Sequence, residues 1–256
     1  MKNPLVSVIM PAYNAEKFIE AAVNSVIAQT YPTWELFIID DASSDTTLSK
    51  AEKLEKKDPR IKILRNKKNS GAGISRNKGI KAAQGDFIAF LDADDQWKPK
   101  KLKIQLDVMQ EQNASVCFSC YQQMEENGNS RNEIIEALPI LTYQKLLKSN
   151  YLGNLTGIYN AKKLGKIYSP EIRKRQDWAL WLEAVKKGGP AIGIQRCLAK
   201  YRVRKGSISG NKLEMLKYNF NIYRKVLGFN FLKSSGYMVV FLKEHFFVKR
   251  KQIKRI

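Results

Sequence analysis

The stretch GDFIAFLDADD, residues 85–95, combines a short apolar run with three carboxylates at its end. Its apolar part, Phe87–Leu91, is aromatic and β-branched and follows a glycine, which is typical of a fully buried strand. Asp92, Asp94 and Asp95 then lie within four residues, where their negative charges repel one another. Carboxylates this close together indicate either a cation site or a solvated turn with an Asp cap before the next helix.

Three other apolar segments precede this strand and alternate with segments of helical periodicity. The predicted strands are 5–10, 34–39 and 61–64, and the predicted helices are 15–29, 46–57 and 73–84. This alternation is typical of an α/β protein with a doubly wound, largely parallel sheet. Ligands of such sheets bind beyond the carboxyl ends of the strands, which here carry polar or acidic groups at 11–14, 40–45 and 92–95. We therefore expect the three carboxylates to line a ligand crevice.

The second half of the chain has a less regular pattern. We predict strands at 114–121, 192–194 and 198–203 and helices at 142–149 and 177–187. From about residue 211 the pattern is helical, with breaks near Gly228 and Ser234–Gly236. The sequence therefore predicts a domain of residues 1–210 and a basic helical tail of residues 211–256.

The chain of 256 residues carries a formal net charge of +21, unevenly distributed. Residues 200–256 contain 15 Lys and Arg against 2 Asp and Glu. A basic tail predicts a polyanionic partner, either an anionic membrane surface or a nucleic acid. The hydrophobic fraction of 44% is enough for a sizeable core and excludes a disordered chain.

Three cysteines and one histidine restrict the metal and redox chemistry of the chain. The odd, low cysteine count predicts no disulfide framework and indicates a reducing compartment. Cys117 and Cys120 form a C-x-x-C pair, but a structural zinc needs about four ligands and His245 is the one histidine. We expect these two cysteines to be small apolar residues of a buried strand.

The sequence shows neither a signal peptide nor a membrane span. The N-terminus MKNPLVSVIMPAYN runs directly into the first strand, and the apolar stretch Tyr237–Leu242 is far too short to cross a bilayer. We therefore expect a cytoplasmic protein that is either soluble or peripheral on the inner face of the plasma membrane.

The segment after the first strand decides how a nucleotide can be held. A dinucleotide site needs G-x-G-x-x-G there, but residues 11–16 are PAYNAE, and a Walker A loop is absent too. Side chains and a cation must then hold any nucleotide. The D-x-D of Asp92 and Asp94 suits Mg²⁺ or Mn²⁺, which take carboxylate oxygens and complete their shell with water and phosphates. Two carboxylates alone bind such a metal weakly, so we expect metal and nucleotide to bind together.

Five motifs, in order, resemble those of family 2 glycosyltransferases, which are inverting, nucleotide-sugar-dependent enzymes of the GT-A fold. The motifs are VSVIMPAYN (6–14), FIIDDASSDTT (37–47), NSGAGISRNKGIKAAQG (69–85), FLDADD (90–95) and QDWALWL (176–182). D-x-D alone is common by chance, whereas five ordered motifs at predicted strand ends are specific. The resemblance covers roughly residues 5–210. It implies a Rossmann-like, mostly parallel sheet with flanking helices, followed here by the basic helical tail.

The resemblance implies a nucleoside site at the ends of the first two strands. Tyr13 would stack on a pyrimidine, Pro11 would lie beside the base, and Asp41 would accept a hydrogen bond from uracil N3–H. The alternatives are an exposed loop aromatic for Tyr13 and a helix or turn cap for Asp41, with Asp40 pointing inward instead. Arg76 would reach a phosphate or Asp41, and a structural ion pair is equally compatible with its position.

The resemblance also implies a metal and phosphate site. Asp94 is predicted as the metal ligand, and Asp92 as a contact to the ribose or, through water, to the metal. The segment YRVRKGSIS (201–209) is similar to a family loop that closes over the donor diphosphate. Arg204 stands where the family often has His, and Arg202 or Lys205 would serve as alternatives. A solvated basic turn is the alternative without a phosphate role.

Asp177 resembles the family's catalytic base, which removes the proton of the acceptor hydroxyl. The family usually has a second acid before it, where this chain has Gln176. A helix N-terminus should keep Asp177 ionised, although an ordinary N-cap is the alternative. The implied reaction is a single inverting displacement, which gives a β-linked product from an α-linked donor. Trp178 and Trp181 would form a sugar-stacking surface or core, with core favoured for Trp181.

The implied partners are a nucleotide-sugar donor, with UDP-sugar favoured, and a saccharide acceptor linked to polyprenyl diphosphate. The tail end HFFVKRKQIKRI (245–256) is a basic amphipathic segment of the kind that lies on anionic lipid, or that packs its apolar side on the domain. A nucleic-acid binder is disfavoured because acidic groups gather at the strand ends. A non-catalytic nucleotide-sugar-binding module would not need Asp177. A nucleotidyltransferase would need a glycine-rich phosphate loop.

Overall fold

The computed structural model describes residues 3–204 and 212–255, without the side chains of Lys212 and Leu213. Its first half is a parallel sheet of order β3-β2-β1-β4. The elements are β1 (Val6–Ala12), α1 (Ile19–Ile27), β2 (Trp34–Asp40), α2 (Thr47–Glu55), β3 (Ile61–Arg65), α3 (Ala72–Ala82) and β4 (Phe87–Phe90). All four strands and three helices predicted for this half are present, and the α/β fold class is confirmed.

The first strand was predicted to end at Met10, before Pro11, but it continues two residues further to Ala12, so that boundary was wrong. Pairing of β1 with β4 ends at Ile9, whereas pairing with β2 continues to Ala12. A proline has no N–H to donate, and a strand tolerates it where one neighbour has already ended. Pro11 is therefore compatible with this end of the strand.

The second half of the chain extends the sheet mainly with antiparallel strands. Its elements are β5 (Gln96–Trp97), α4 (Lys101–Glu111), β6 (Val116–Met124), β7 (Ser130–Ile135), β8 (Ile140–Leu141), α5 (Tyr143–Lys148), β9 (Ile158–Asn160), α6 (Ala161–Leu164), α7 (Gln176–Gly188) and β10 (Ala191–Arg202). β9 joins β4 to β6, and β10 pairs parallel with β6. The strands predicted at 192–194 and 198–203 are one strand, because β10 continues through register shifts around Cys197.

Each face of the sheet has its own hydrophobic core, because successive side chains of a strand point to opposite faces. Val8 and Met10 of β1 pack with α1, α2 and α4, whereas Ile9 packs with α3, α5 and α7. Trp178 and Trp181 are fully buried in the second core, which confirms the core interpretation of Trp181 and extends it to Trp178. Cys117 and Cys120 are free and buried on β6, as predicted.

The tail packs on the second core. It consists of α8 (Lys212–Asn221), a π-helical turn (Ile222–Val226), α9 (Phe231–Lys243), two further turns (Glu244–Val248 and Lys249–Gln252) and β11 (Ile253–Arg255). Tyr223 and Phe241 contact the Trp178 ring. The predicted break at Gly228 is confirmed by its left-handed φ of 67°. The predicted break at Ser234–Gly236 was wrong, because α9 is continuous there and the buried Ser234 and Phe241 fix it to the core.

The predicted helical pattern of the tail does not continue to its end. β11 pairs antiparallel with β7 and becomes the edge strand of the sheet. Within residues 3–204 and 212–255, no helix combines the length and apolar character needed to span a bilayer.

Candidate active site

The loops that follow β1 and β2 are tied to each other at the carboxyl edge of the sheet. The Asn14 N–H donates to Ser43 Oγ at 3.1 Å, and the Ser44 N–H donates to Asn14 Oδ1 at 2.9 Å. Asn14 and Ala42 both adopt left-handed φ angles, of 46° and 59°. Such angles are unfavourable for alanine, so the hydrogen-bonded loops impose this conformation. The crevice therefore has a preorganised rim.

Tyr13 and Pro11 lie on this rim. The Tyr13 side chain is 50% exposed, so its ring is available to a planar base. Pro11 is partly buried at the end of β1, one strand away from the end of β2. Both positions are compatible with a base-binding role, and neither side chain makes a contact that would occupy it among the described hydrogen bonds.

Asp41 caps the turn that leads into α3. Its carboxylate accepts hydrogen bonds from Asn66 Nδ2 (2.7 Å), the Ser70 N–H (2.9 Å) and the Gly71 N–H (2.7 Å). A carboxylate has about four acceptor positions, so one of them is still available to a ligand. The structure thus shows the capping role that was the alternative to base recognition, and it leaves room for both.

Asp40, the last residue of β2, has hydrogen-bond partners different from those of Asp41. One of its oxygens accepts a long hydrogen bond of 3.3 Å from the Ser43 N–H. The other, Oδ2, is buried, lies 4.0 Å from Arg65 Nε and has no hydrogen-bond partner among the described residues. Asp40 is therefore the carboxylate of this pair with the less satisfied oxygen.

Arg76 forms an ion pair with Asp92 and no described contact with Asp41. The distance from Arg76 Nη2 to Asp92 Oδ1 is 2.6 Å, and the Arg76 side chain is buried. Burial lowers the pKa of Arg76, but the carboxylates of Asp92, Asp177 and Asp94 outweigh it, so the net shift is upward. Arg76 therefore contacts Asp92, and Asp177 of α7 and Asp94 of the turn after β4 are close enough for their charges to raise its pKa.

Asp94 is paired with Arg204, and Phe18 underlies the arginines. Arg204 Nη2 lies 2.8 Å from Asp94 Oδ2. The guanidinium groups of Arg204 and Arg202 lie 5.3 and 4.9 Å from the Phe18 ring centre. Burial, followed by the nearby Asp92 charge, raises the pKa of Asp94. The predicted alternative Lys205 lies outside the described residues.

The guanidinium of Arg202 contacts backbone carbonyl oxygens, whereas the backbone N–H of this residue contacts a side-chain carboxylate. Its guanidinium donates to the carbonyl oxygens of Asp94 (2.7 Å) and Glu126 (2.7 Å), and its N–H donates to Asp95 Oδ1 at 2.8 Å. Asp95 is fully buried, and burial followed by the charges of Asp94 and Asp92 raises its pKa well above the ordinary value. Asp95 thus fixes β10 to the D-x-D turn.

Asp177 lies in the first turn of α7. Its Oδ2 accepts a hydrogen bond of 3.0 Å from Asn150 Nδ2, a contact that no sequence motif indicated. α3 and α7 approach closely at Gly73, where a Cβ would stand 3.1 Å from Gln176 Cγ. This approach places Asp177 within electrostatic reach of Arg76.

Two carboxylates, Asp92 and Asp94, are the donors that a hard divalent cation would find here. Within the described ranges no group of three or more His, Cys, Asp and Glu residues is arranged to hold a metal ion. The pair nevertheless fits Mg²⁺ or Mn²⁺, because these ions often take one or two carboxylates and leave the other positions to phosphates and water. Without such an ion, Arg76 and Arg204 balance the two charges.

Comparison with known proteins identifies the family. The family model described as Glycosyl transferase family 2 matches residues 7–166. The chain belongs to this family. It is therefore a glycosyltransferase, as the motifs predicted, and the matched residues include both members of the D-x-D.

Two relatives match this family 2 glycosyltransferase over nearly their whole length. A putative teichuronic acid biosynthesis glycosyltransferase, TuaG of Bacillus subtilis, is 42% identical and covers 94% of this chain and 96% of its own. WfgD of Escherichia coli, a UDP-Glc:alpha-D-GlcNAc-diphosphoundecaprenol beta-1,3-glucosyltransferase, is 40% identical and covers 96% and 97%.

Solved structures confirm the GT-A fold. S. aureus TarS in complex with UDP superposes with a TM-score of 0.70 at 25% identity, over 96% of this chain and 73% of that one. The mannosyltransferase PcManGT from Pyrobaculum calidifontis, in complex with GDP-Man and Mn2+, has a TM-score of 0.71 at 16% identity and covers 98% and 72%. The second likeness is one of fold alone.

Proposed function

We propose that this glycosyltransferase transfers a sugar from a UDP-sugar to a hydroxyl of a polyprenyl-diphosphate-linked saccharide, with inversion, in bacterial surface polysaccharide assembly. The observation that carries the proposal is the cluster formed by the Arg76–Asp92 and Arg204–Asp94 ion pairs, with Asp177 close enough to raise the pKa of Arg76. The names of TuaG and WfgD support the pathway and the lipid-linked acceptor, and the UDP complex of TarS supports the donor.

The donor diphosphate is assigned to the Asp94 side of the crevice. Asp94, with Asp92, would hold Mn²⁺ or Mg²⁺, which when bound stabilises the negative charge of the leaving nucleoside diphosphate. Arg204 would turn from Asp94 to the phosphate oxygens once the carboxylate has another cation, since its planar guanidinium matches both partners. Arg202, tied to backbone carbonyls, would hold the basic segment in place rather than bind phosphate.

The base is assigned to Asp177. Asn150 holds one carboxylate oxygen, which leaves the other free to accept the proton of the acceptor hydroxyl. The hydroxyl would attack the anomeric carbon from the face opposite the diphosphate, so the configuration inverts. The Asn150 contact is expected to orient the carboxylate for this step.

The acceptor is assigned to a membrane-borne lipid because of the surface of the tail. Exposed apolar side chains stand among lysines and arginines on α9 and the turns after it, a distribution that suits anionic lipid. These side chains are Phe231, Leu232, Val239, Val240, Phe246, Phe247 and Val248. The tail would thus bring a peripheral enzyme to the inner face of the plasma membrane while its buried side packs on the domain.

The proposal is tested by titrating UDP calorimetrically into the protein with Mn²⁺ and then with excess EDTA. We expect binding that needs the metal and that is about 100-fold weaker or more in Asp94→Asn, because one of two carboxylate ligands is lost. Asp107→Asn on the exposed face of α4 removes a carboxylate outside the crevice and should bind UDP like the wild type. UDP binding that is absent, or equal in EDTA, would contradict the donor assignment.

Base recognition is tested by comparing UDP and CDP in Asp41→Asn and Asp40→Asn. A carboxylate accepts from uracil N3–H, whereas cytosine offers an acceptor at N3, so the wild type should prefer UDP. We expect Asp41→Asn to reduce this preference by about 10-fold or more. Because Asp41 also caps the turn that leads into α3, each variant is checked by thermal unfolding. If the preference for UDP over CDP is lost in Asp40→Asn alone, Asp40 rather than Asp41 recognises the base.

A further inference from the structure

Three distant segments meet beside Asp177. Lys249 of the tail donates a hydrogen bond from Nζ to the Asn150 carbonyl oxygen, and Asn150 Nδ2 donates to Asp177 Oδ2. Arg175 directly precedes α7, in a left-handed conformation with φ of 67°. Two cations from different parts of the chain thus flank the assigned base.

The positive charges of Arg175 and Lys249 are only partly balanced by neighbouring groups. Arg175 Nε is buried and has no hydrogen-bond partner in the described part of the chain. Burial, followed by the neighbouring Arg175 charge, lowers the pKa of Lys249 to about 8, and burial lowers the pKa of Arg175 as well. Asp177 offsets only part of this charge, and Asn150 already uses one of its oxygens. Two partly buried cations in this arrangement favour an anion between or beside them.

Contacts of the residues before and after Lys249 in the sequence fix its position. Before it, the buried Glu244 carboxylate accepts hydrogen bonds from Tyr151 Oη (2.6 Å) and from Lys145 Nζ. After it, β11 pairs with β7. Lys249 therefore differs from a mobile surface lysine, and its ammonium group is presented at one place.

The exposed apolar residues of the tail directly precede Lys249. Phe246 and Phe247 are 47% and 72% exposed, and Val248 follows them. A lipid whose chain enters the membrane at these residues would have its polar head next to Lys249. The donor diphosphate, in contrast, belongs with Asp94 and Arg204, which are linked to Asp177 through Arg76.

We propose that Arg175 and Lys249 bind the diphosphate of the lipid-linked acceptor, so that the tail completes the acceptor side of the active site. This inference rests on the proposed function and names the group by which the same site recognises its acceptor. The sugar would lie between this diphosphate and Asp177, with its hydroxyl at the base. A neutral glycoside of the same saccharide lacks the group that the two cations bind.

The test is a calorimetric titration of farnesyl diphosphate, below its micelle concentration, into the full chain, first alone and then with UDP and Mg²⁺. We expect Lys249→Gln to weaken binding by about 10- to 100-fold, the usual effect of losing a charge-assisted contact. Lys251→Gln removes the same charge from an exposed residue two positions away and should stay within about twofold of wild type. Lys249→Arg, which keeps the charge, should retain binding, and an unchanged unfolding temperature shows that the tail of Lys249→Gln remains folded.

Sedimentation with phosphatidylglycerol-containing vesicles separates the two sources of phosphate. Both glutamine variants should lose vesicle binding to the same small extent, since each removes one basic charge from the tail. The proposal is overturned if wild type fails to bind farnesyl diphosphate, if the two variants weaken it equally, or if Lys249→Gln affects only the vesicles. None of these measurements requires sugar transfer, so a failed UDP titration and a failed diphosphate titration remain distinguishable.

Discussion

Asp177→Asn is expected to lower kcat by about 10²- to 10⁴-fold, because the amide cannot take the proton of the acceptor hydroxyl. The substitution keeps the shape of the side chain, so UDP affinity and the unfolding temperature should change little. The measurement is sugar transfer from the UDP-sugar that supports turnover, with UDP affinity determined on the same preparation. A fall in kcat without a change in UDP affinity separates chemistry from donor binding.

Glu183→Gln is the matched control for Asp177→Asn. Glu183 lies on the same helix α7, at the surface, where it pairs with Lys187 at 3.3 Å. Its loss should leave kcat within about twofold, because exposed pairs contribute little. Full activity in Asp177→Asn would show that Asp177 is not the catalytic base. A wild type that binds UDP and transfers no sugar to any acceptor would favour the non-catalytic binding module.

The second large effect is a dependence of stability on pH caused by Lys101. This side chain of α4 is fully buried, donates to Gln105 Oε1 at 2.5 Å and lies 4.1 Å from the Trp97 ring centre. Burial lowers the pKa of Lys101 from 10.5 to about 7 in the folded protein. Between these two values the unfolded chain binds more protons, so the free energy of unfolding contributed by Lys101 rises with pH.

Lys101→Met is expected to remove this dependence. Relative to the variant, the wild type should gain about 1.4 kcal/mol per pH unit from pH 7 upward, or roughly 2 kcal/mol by pH 8.5. Urea unfolding at several pH values measures the difference, and the comparison cancels groups that both proteins share, including the Cys117 thiol. Lys103→Met, on the exposed side of the same helix, should show no such slope. Parallel pH profiles for wild type and Lys101→Met would show that Lys101 keeps its charge.

The parallel half of the fold could be predicted because its signals are local. Each of its strands is a continuous apolar run and each helix has its own apolar stripe, so element type follows from periodicity. The boundary error at Pro11 has a nonlocal cause. Whether a proline fits a strand depends on where the neighbouring strand ends, and that is a property of the pairing between β1 and β4.

The antiparallel half could not be predicted with the same precision. β7 has the polar sequence SRNEII, and β9 has three residues, so neither shows a period long enough to detect. Both exist because they pair with β6 and other strands. β11 depends most on distant pairing, since its partner β7 lies about 120 residues earlier in the chain.

Some residues of the candidate site could likewise be predicted from the sequence, and others could not. Asp92, Asp94 and Asp177 could be named from motifs, and in the structure the charges of all three raise the pKa of Arg76. The pairing of Arg76 with Asp92, and the use of Asp41 as a turn cap, depend on how the helices pack. The contacts of Asn150 and Lys249 join segments with no shared motif, so only the folded chain reveals them.

The pairing of β11 with β7 has a consequence for the order in which the enzyme matures on the ribosome. The parallel strands that carry Asp92 and Asp94 are complete early in synthesis, and domains generally fold as units once they have emerged. Lys249 and β11 are made after the whole parallel half of the sheet, and they reach their partners by long-range contacts that form late. We therefore expect a nascent chain to form the turn of Asp92 and Asp94 first and the contacts of Lys249 and β11 only after translation has passed residue 255.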